Sequence, residues 1–314
     1  MKHLIFLAST LVAFLFLSCE RTINYSLDDI PDFEGLAAPA AGQGYQIHIP
    51  PFPVAADYER EIFVRKEIGN DKVIYANRFE VKCRPGTHHM IAYGYENENS
   101  PENPEIGLMR DQNLPDGRLN FGLTMGSGAM YCGAQEPEFV LQLPPGVAMR
   151  IPANSTLDIN SHYFNLTDDV LFGEVFLNIS TIPESEVQET LVIDDIDNAD
   201  ALFLPKGEST TIQWGEQFGR RTLIRQMFSH MHKRGVQFKV FKMGIDGLKG
   251  ELVYVSNDYQ HPPYAFFDPP LEMKAGEYLL TEVNYYNDTD RDLQFGVTSE
   301  DEMGILFYSK IEGI

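Results

Sequence analysis

Short apolar alternations recur along the chain from about residue 60 to its end. The stretches "EIFVRKEI", "FVLQL", "TLDINSHYF", "GEVFLNIS", "ETLVIDD", "VQFKVFKM", "ELVYVSN", "YLLTEVNYY", "LQFGVTS" and "GILFYSK" are rich in Val, Ile, Phe, Tyr and Thr. Strand side chains point to opposite faces in turn, so a period of two predicts half-buried strands. Turn-forming stretches such as "LPPGV", "LPKGE", "GIDGLKG", "HPPYAFFDPP" and "MKAGE" separate several of them. No long stretch holds a helical period with caps. Strands at this spacing without intervening helices predict an all-β fold of two tandem antiparallel, jelly-roll-like β-sandwiches.

The ends of the pattern differ from its middle. The opening "MKHLIFLASTLVAFLFLSCE" has an early Lys, an apolar run from Leu4 to Leu17, then Ser18 and Cys19. It is too short to span a bilayer and no stop-transfer charges follow it, so residues 1–19 are expected to be a secretory signal. Its "FLSC" ending resembles the lipobox of bacterial lipoproteins, which would make Cys19 a lipidated residue and anchor an exported protein in the bacterial cell envelope. Ordinary secretion, with Cys19 lost, is the alternative. Residues 20–44 are polar, Pro/Gly/Ala-rich and without a period, and read as a flexible tether.

About 295 of the 314 residues remain after the signal, more than one core usually serves. The seam is expected around Ile182–Glu189, giving one sandwich over 45–181 and a second over 182–314. A formal charge of -22 argues against nucleic acid as a partner, because a phosphate backbone needs a basic face. The chain has three cysteines. With Cys19 set aside, an oxidising compartment suggests one disulfide between Cys83 and Cys132.

Candidate chemistry lies in the histidines. Five fall in three short clusters: His88 and His89 in "THHM", His162 in "SHYFN", and His230 and His232 in "SHMH". On a strand, His230 and His232 share a face, the spacing for chelation. Any one of these taken alone reads better as a hydrogen-bonded or surface histidine. Clustered imidazoles suit copper, zinc, nickel or iron, whereas carboxylates suit calcium or magnesium. His88 and His89 pose a problem, since a regular strand would send them to opposite faces. One site can use both only through a bulge or through different ring nitrogens.

The order "THHM", "SHYFN", "SHMH" and then "SEDEMG" resembles the copper type II, ascorbate-dependent monooxygenases. That family includes peptidylglycine α-hydroxylating monooxygenase and dopamine β-monooxygenase. The stretches "LPPGVAMRIPANSTLDINSHYFN" and "DYQHPPYAFFDPPLEMKAGEYLLTEVNYYNDTD" are also similar to it, and the resemblance covers roughly residues 45 to 310. It implies two sandwiches with one copper each, facing across a solvent-filled cleft. His88, His89 and His162 match the electron-transfer copper site, and His230, His232 and Met303 the oxygen-activating one. It implies a reductant such as ascorbate, dioxygen, and hydroxylation of a carbon of a small substrate. Asn160, Ser161, Tyr163 and Gln260 are candidates to orient the imidazoles, while His48 and His261 fall outside the ligand pattern and read as structural.

The chain departs from the peptide-amidating members beside the second copper. Those members carry an Arg two residues before His-x-His, and an Asn two and a Tyr four residues after the ligand Met. Here the matching residues are Phe228, Ile305 and Phe307. A buried substrate carboxylate would find no partner among them, so the expected substrate is neutral or apolar, with aromatic groups favoured. Cys132 stands where the family more often has Trp, a change in keeping with a disulfide to Cys83, with a buried free thiol as the alternative. A copper-storage or copper-delivery lipoprotein using the same ligands is the alternative. A glycan-binding sandwich would leave the clustered histidines unexplained.

Overall fold

The structure is a computed structural model that describes residues 30–111, 129–248, 250–296 and 298–311. The expected signal, Cys19 and the first part of the tether lie outside those residues. Twenty strands and no α-helix occur among the described residues. The first are β1 (Gly44–Val54), β2 (Tyr58–Glu67), β3 (Ile74–Cys83), β4 (Thr87–Tyr93), β5 (Met109–Asp111), β6 (Met130–Ala134) and β7 (Glu138–Gln142). Then come β8 (Val147–Ile151), β9 (Thr156–Asn165), β10 (Leu171–Ile182), β11 (Glu189–Asp197), β12 (Phe203–Leu204), β13 (Ser209–Gln217) and β14 (Thr222–Met231). The last are β15 (Gly235–Met243), β16 (Glu251–Ser256), β17 (Ala265–Met273), β18 (Tyr278–Tyr286), β19 (Leu293–Gln294) and β20 (Gly304–Ile311).

Two runs of strands make up the first half. One runs β1-β10-β3 with β7 and β8 both on β3, and the other runs β6-β4-β9-β2-β5. Later in the chain, β20-β14-β17 continues the large sheet, while β13-β18-β15-β16 forms a separate four-stranded one. The segment read as a seam holds a short 3-10 turn, Glu184–Glu186, and leads straight into β11. That strand pairs with β8 and β6 from the first half and, over its length, with β20 from the second. The halves therefore share a hydrogen-bonded strand and are not strung on a loose linker.

Alternation explains how the halves pack. Apolar residues gather in two clusters, one from the first half and one from the second. Strands β14 and β20 feed both. Met227, Met231, Leu306 and Tyr308 enter the second cluster, whereas Phe228, Ile305 and Phe307, one position out of phase, enter the first. Each strand thus spends one face on its own core and the other on the neighbouring half. Burying each of those three side chains contributes roughly 1.5–3 kcal/mol.

Two expectations change. Residues 20–44 were expected to be a flexible tether, yet their described part, from residue 30, lies docked on the first half without regular secondary structure up to β1. The carbonyls of Pro31, Leu36 and Ala37 accept hydrogen bonds from Arg84, Gln46 and Asn178. Phe33 packs 6.2 Å from Phe176 and beneath the Arg84 guanidinium. Low hydrophobicity did not prevent order because the segment's backbone carbonyls meet side-chain donors. The second correction is the disulfide. Cys83, closing β3, and Cys132, within β6, are free buried thiols in the same core cluster, and Cys83 adds to burial in raising Cys132. Burial pushes both thiols up to about 12, so they stay protonated and unreactive.

Candidate metal centre

Strands β4 and β9 build the first cluster. Their register places His89 directly opposite His162, and it slips between Thr87 and His89, leaving His88 as the extra residue. This is the bulge that a shared site for adjacent histidines requires. The three rings sit 4.9–5.3 Å apart, centroid to centroid. One ligand nitrogen from each can lie within 4.8 Å of the others.

The hydrogen bonds settle which nitrogen is free. His162 donates Nε2–H to Glu59 Oε1 at 2.9 Å, and its buried Nδ1 has no partner. His89 donates Nε2–H to Asn160 Oδ1 at 2.8 Å, and Asn160 in turn donates to Glu61 Oε1 at 2.8 Å. In its neutral form each imidazole is therefore held with Nδ1 as the lone pair. An orphaned buried lone pair is costly unless an ion meets it, and a carboxylate behind a ligand histidine is a common support of metal sites. The donor set fits a metal ion such as copper.

The second cluster sits across the same space. Registers pair His230 with Ile305 and Met231 with Gly304, so the next positions outward are His232 and Met303. The His230 and His232 rings are 5.2 Å apart. His232 donates Nδ1–H to the Asp301 carbonyl at 3.2 Å, which leaves Nε2 as its free lone pair. Glu302, fully buried, ties the site together. One of its oxygens accepts the backbone N–H of His232 and of Met303, and the other accepts that of Arg234. Gly304 allows the close approach that follows: a Cβ there would meet Tyr285 Oη at 2.5 Å, and that hydroxyl donates to the Met303 carbonyl. Two imidazoles and a thioether make a soft donor set that favours Cu(I) among copper states.

The clusters are not separated by an open cleft as expected. The His89 and His230 rings come to 6.2 Å, and one cavity is lined by all five histidines and Met303. Its remaining wall is mostly apolar. Phe228 stacks on Phe307 at 4.9 Å and on Tyr264 at 4.5 Å, with Ile305, Ile91 and Met130 nearby. The three residues expected at a substrate pocket, Phe228, Ile305 and Phe307, are thus brought to the cavity. Tyr264 closes it by donating to the Gly133 carbonyl of the first half at 2.6 Å.

Electrostatics divide the cavity. Burial, reinforced by neighbouring imidazoles, holds His88 and His230 well below the usual histidine range. Burial likewise lowers His232 to about 4, against the opposing Asp301 hydrogen bond. These rings are neutral near pH 7 and keep a lone pair for a metal. Burial would raise Glu61, but His162 and His89 outweigh it and lower it to about 2. Burial would lower His162, but Glu61 and Glu59 outweigh it in the upward direction.

Of the residues expected to orient the imidazoles, only Asn160 does. Ser161 and Tyr163 occupy the core face of β9, with the Tyr163 hydroxyl on the Glu174 carbonyl, and Gln260 lies exposed in a loop beside Asp258. His48 stacks on Phe176 and pairs with Glu174, and His261 is exposed near Glu136 and Asp258, so both are away from the cavity. Sequence reasoning missed Glu59, Glu61, Glu302 and Tyr264. The spacing of Glu59 and Glu61 at strand period two, as for His230 and His232, was the available signal.

No family model and no curated protein matches the chain. Among solved structures it is similar to the STIV MCP, 8% identical over 86% of this chain and 97% of that one, with a TM-score of 0.38. It is also similar to the VP2 subviral particle of infectious bursal disease virus, 11% identical over 86% and 71%, TM-score 0.19. Bacillus subtilis oxalate decarboxylase is 8% identical over 92% and 77%, TM-score 0.14. None of these likenesses bears on function.

Proposed function

We propose that the chain is an exported copper-dependent monooxygenase that hydroxylates a C–H bond of a small neutral or aromatic substrate. It would be anchored by lipid at Cys19 and built as two sandwich domains with one copper each. The observation that carries this reading is the convergence of two donor sets of different character on one cavity with an aromatic wall. Copper bound there would supply dioxygen activation, with a reductant such as ascorbate furnishing two electrons. Substrate C–H, dioxygen, two protons and two electrons then give C–OH and water.

The chain's own residues have distinct tasks in this scheme. Glu59 and Asn160 hold His162 and His89 in the tautomer that presents Nδ1. The Asp301 carbonyl holds His232 in the tautomer that presents Nε2. Glu302 fixes the backbone of both His232 and Met303. Phe228, Phe307 and Tyr264 exclude water and receive a flat or apolar group beside the second donor set. A substrate carboxylate would be desolvated there without a cation, so a glycine-extended peptide is a poor substrate.

Metal analysis together with an oxygen electrode tests the proposal. Expected are two coppers per chain, ascorbate-driven oxygen uptake that rises with the right substrate, and a product one oxygen atom heavier by mass spectrometry. Copper uptake without coupled turnover across a broad substrate screen would favour storage or delivery instead. Efficient amidation of a glycine-extended peptide would overturn the substrate class.

A further inference from the structure

One carboxylate touches both halves of the candidate centre. Glu59 lies on β2, whose register with β9 sets Glu61 opposite His162 and Glu59 one same-face step further along. Its Oε1 accepts from His162 Nε2 at 2.9 Å, and its Oε2 accepts from Ser299 Oγ at 2.8 Å. His162 belongs to the first cluster, and Ser299 belongs to the loop that delivers Met303 to the second.

From Ser299 the contacts continue without a gap. The Ser299 carbonyl accepts from Arg234 Nη1 at 3.0 Å, and the Arg234 backbone N–H reaches Glu302 Oε2 at 3.0 Å. The other oxygen of Glu302 holds the backbone N–H of Met303 at 2.9 Å and that of His232. Arg234 and Glu302 are both buried, so breaking these contacts leaves buried polar groups without partners and is costly. Every step from the first cluster to the second is therefore a hydrogen bond or a covalent segment.

Resting on the metal-centre reading above, we infer that Glu59 is a positioning residue that couples the two clusters. A metal ion on His162 Nδ1 fixes the imidazole plane, and the fixed Nε2–H fixes the Glu59 carboxylate. The second oxygen then holds Ser299 and, through Arg234 and Glu302, the Met303 segment. Loading the first cluster thus orders the ligand loop of the second. Coupling of this kind typically changes a site's equilibrium by a factor of about 5 to 150.

The test is hydrogen exchange at the amides of residues 298–303 in the purified full chain, with and without Cu(II). A His230→Ala background confines the metal to the first cluster. Loading is expected to slow exchange in this loop by about fivefold or more. Ser299→Ala should lose that slowing while still binding Cu(II), and Ser299→Thr, which restores the hydroxyl, should regain it. Glu59→Gln, nearly isosteric, should weaken the response. Cu(II) bound with no slowing, or with equal slowing in Ser299→Ala, would overturn the coupling and leave the metal centre standing. No Cu(II) bound at all would remove both.

Discussion

The two histidine clusters differ in what stands behind their imidazoles. At the first, acidic side chains do the work: Glu59 holds His162, and Glu61 acts through Asn160 on His89. At the second, a backbone carbonyl orients His232, and the nearby carboxylate of Glu302 is spent on backbone N–H groups. Negative charge behind a histidine makes it a stronger donor and favours the higher-charged metal state. A neutral setting with a thioether favours the lower-charged one. The lesson is that clusters 6.2 Å apart at their nearest rings can be electronically distinct because their supports, rather than their ligands alone, differ.

The most severe way to break the comparison is Met303→Ala. It should abolish hydroxylation while one copper per chain remains, read by metal analysis beside oxygen uptake. Full activity would show that the second donor set is misassigned. Next, His162→Ala should remove the metal of the first cluster and leave the second donor set intact, so that copper per chain falls from two to one. Retention of both coppers would mean that the orphaned Nδ1 is not a ligand.

A smaller effect sharpens the structural side. Glu302→Ala leaves three buried backbone N–H groups without their acceptor, and should cost roughly 3 kcal/mol or more in urea unfolding of the metal-free chain. A loss below about 1 kcal/mol would show that those groups find water or other partners. Smallest is Tyr264→Phe, which deletes one hydrogen bond to the Gly133 carbonyl while keeping the ring stack on Phe228. The expected loss is about 0.5–1.5 kcal/mol, and an unchanged unfolding midpoint would show that the hydroxyl does not help hold the halves together.

Much of the fold was legible because alternation is a local property. "TLDINSHYF" became β9, "VQFKVFKM" falls within β15 and "GILFYSK" within β20. The adjacency of His88 and His89 pointed to a bulge or to different ring nitrogens if both served one site, and β4 carries a bulge there. The docked segment before β1 was misread, because its order depends on donors such as Arg84 and Asn178 far away in the chain. The roles of Ser161, Tyr163 and Gln260 were misjudged for a related reason. Neighbourhood in sequence ignores which face of a strand a residue occupies. The expected disulfide rested on the parity of cysteines and an oxidising compartment, neither of which says whether two thiols in one core are bonded.

The all-β class, the strand periods and the sharing of strand faces all follow from local residue order. The donors follow from it as well, since imidazole and thioether are chemical facts of the residue. That the polar face of β9 is not a solvent face depends on long-range packing. Asp158, Asn160 and His162 alternate with core residues just as exposed positions would, yet all three are buried. Arg110 covers Asp158, while Asn160 and His162 line one cavity with Phe228 and His230 of β14 and Ile305 and Phe307 of β20, residues more than sixty positions away. Period-two patterning says which side chains point the same way. What lies opposite them, solvent or another half of the protein, is settled by long-range packing alone.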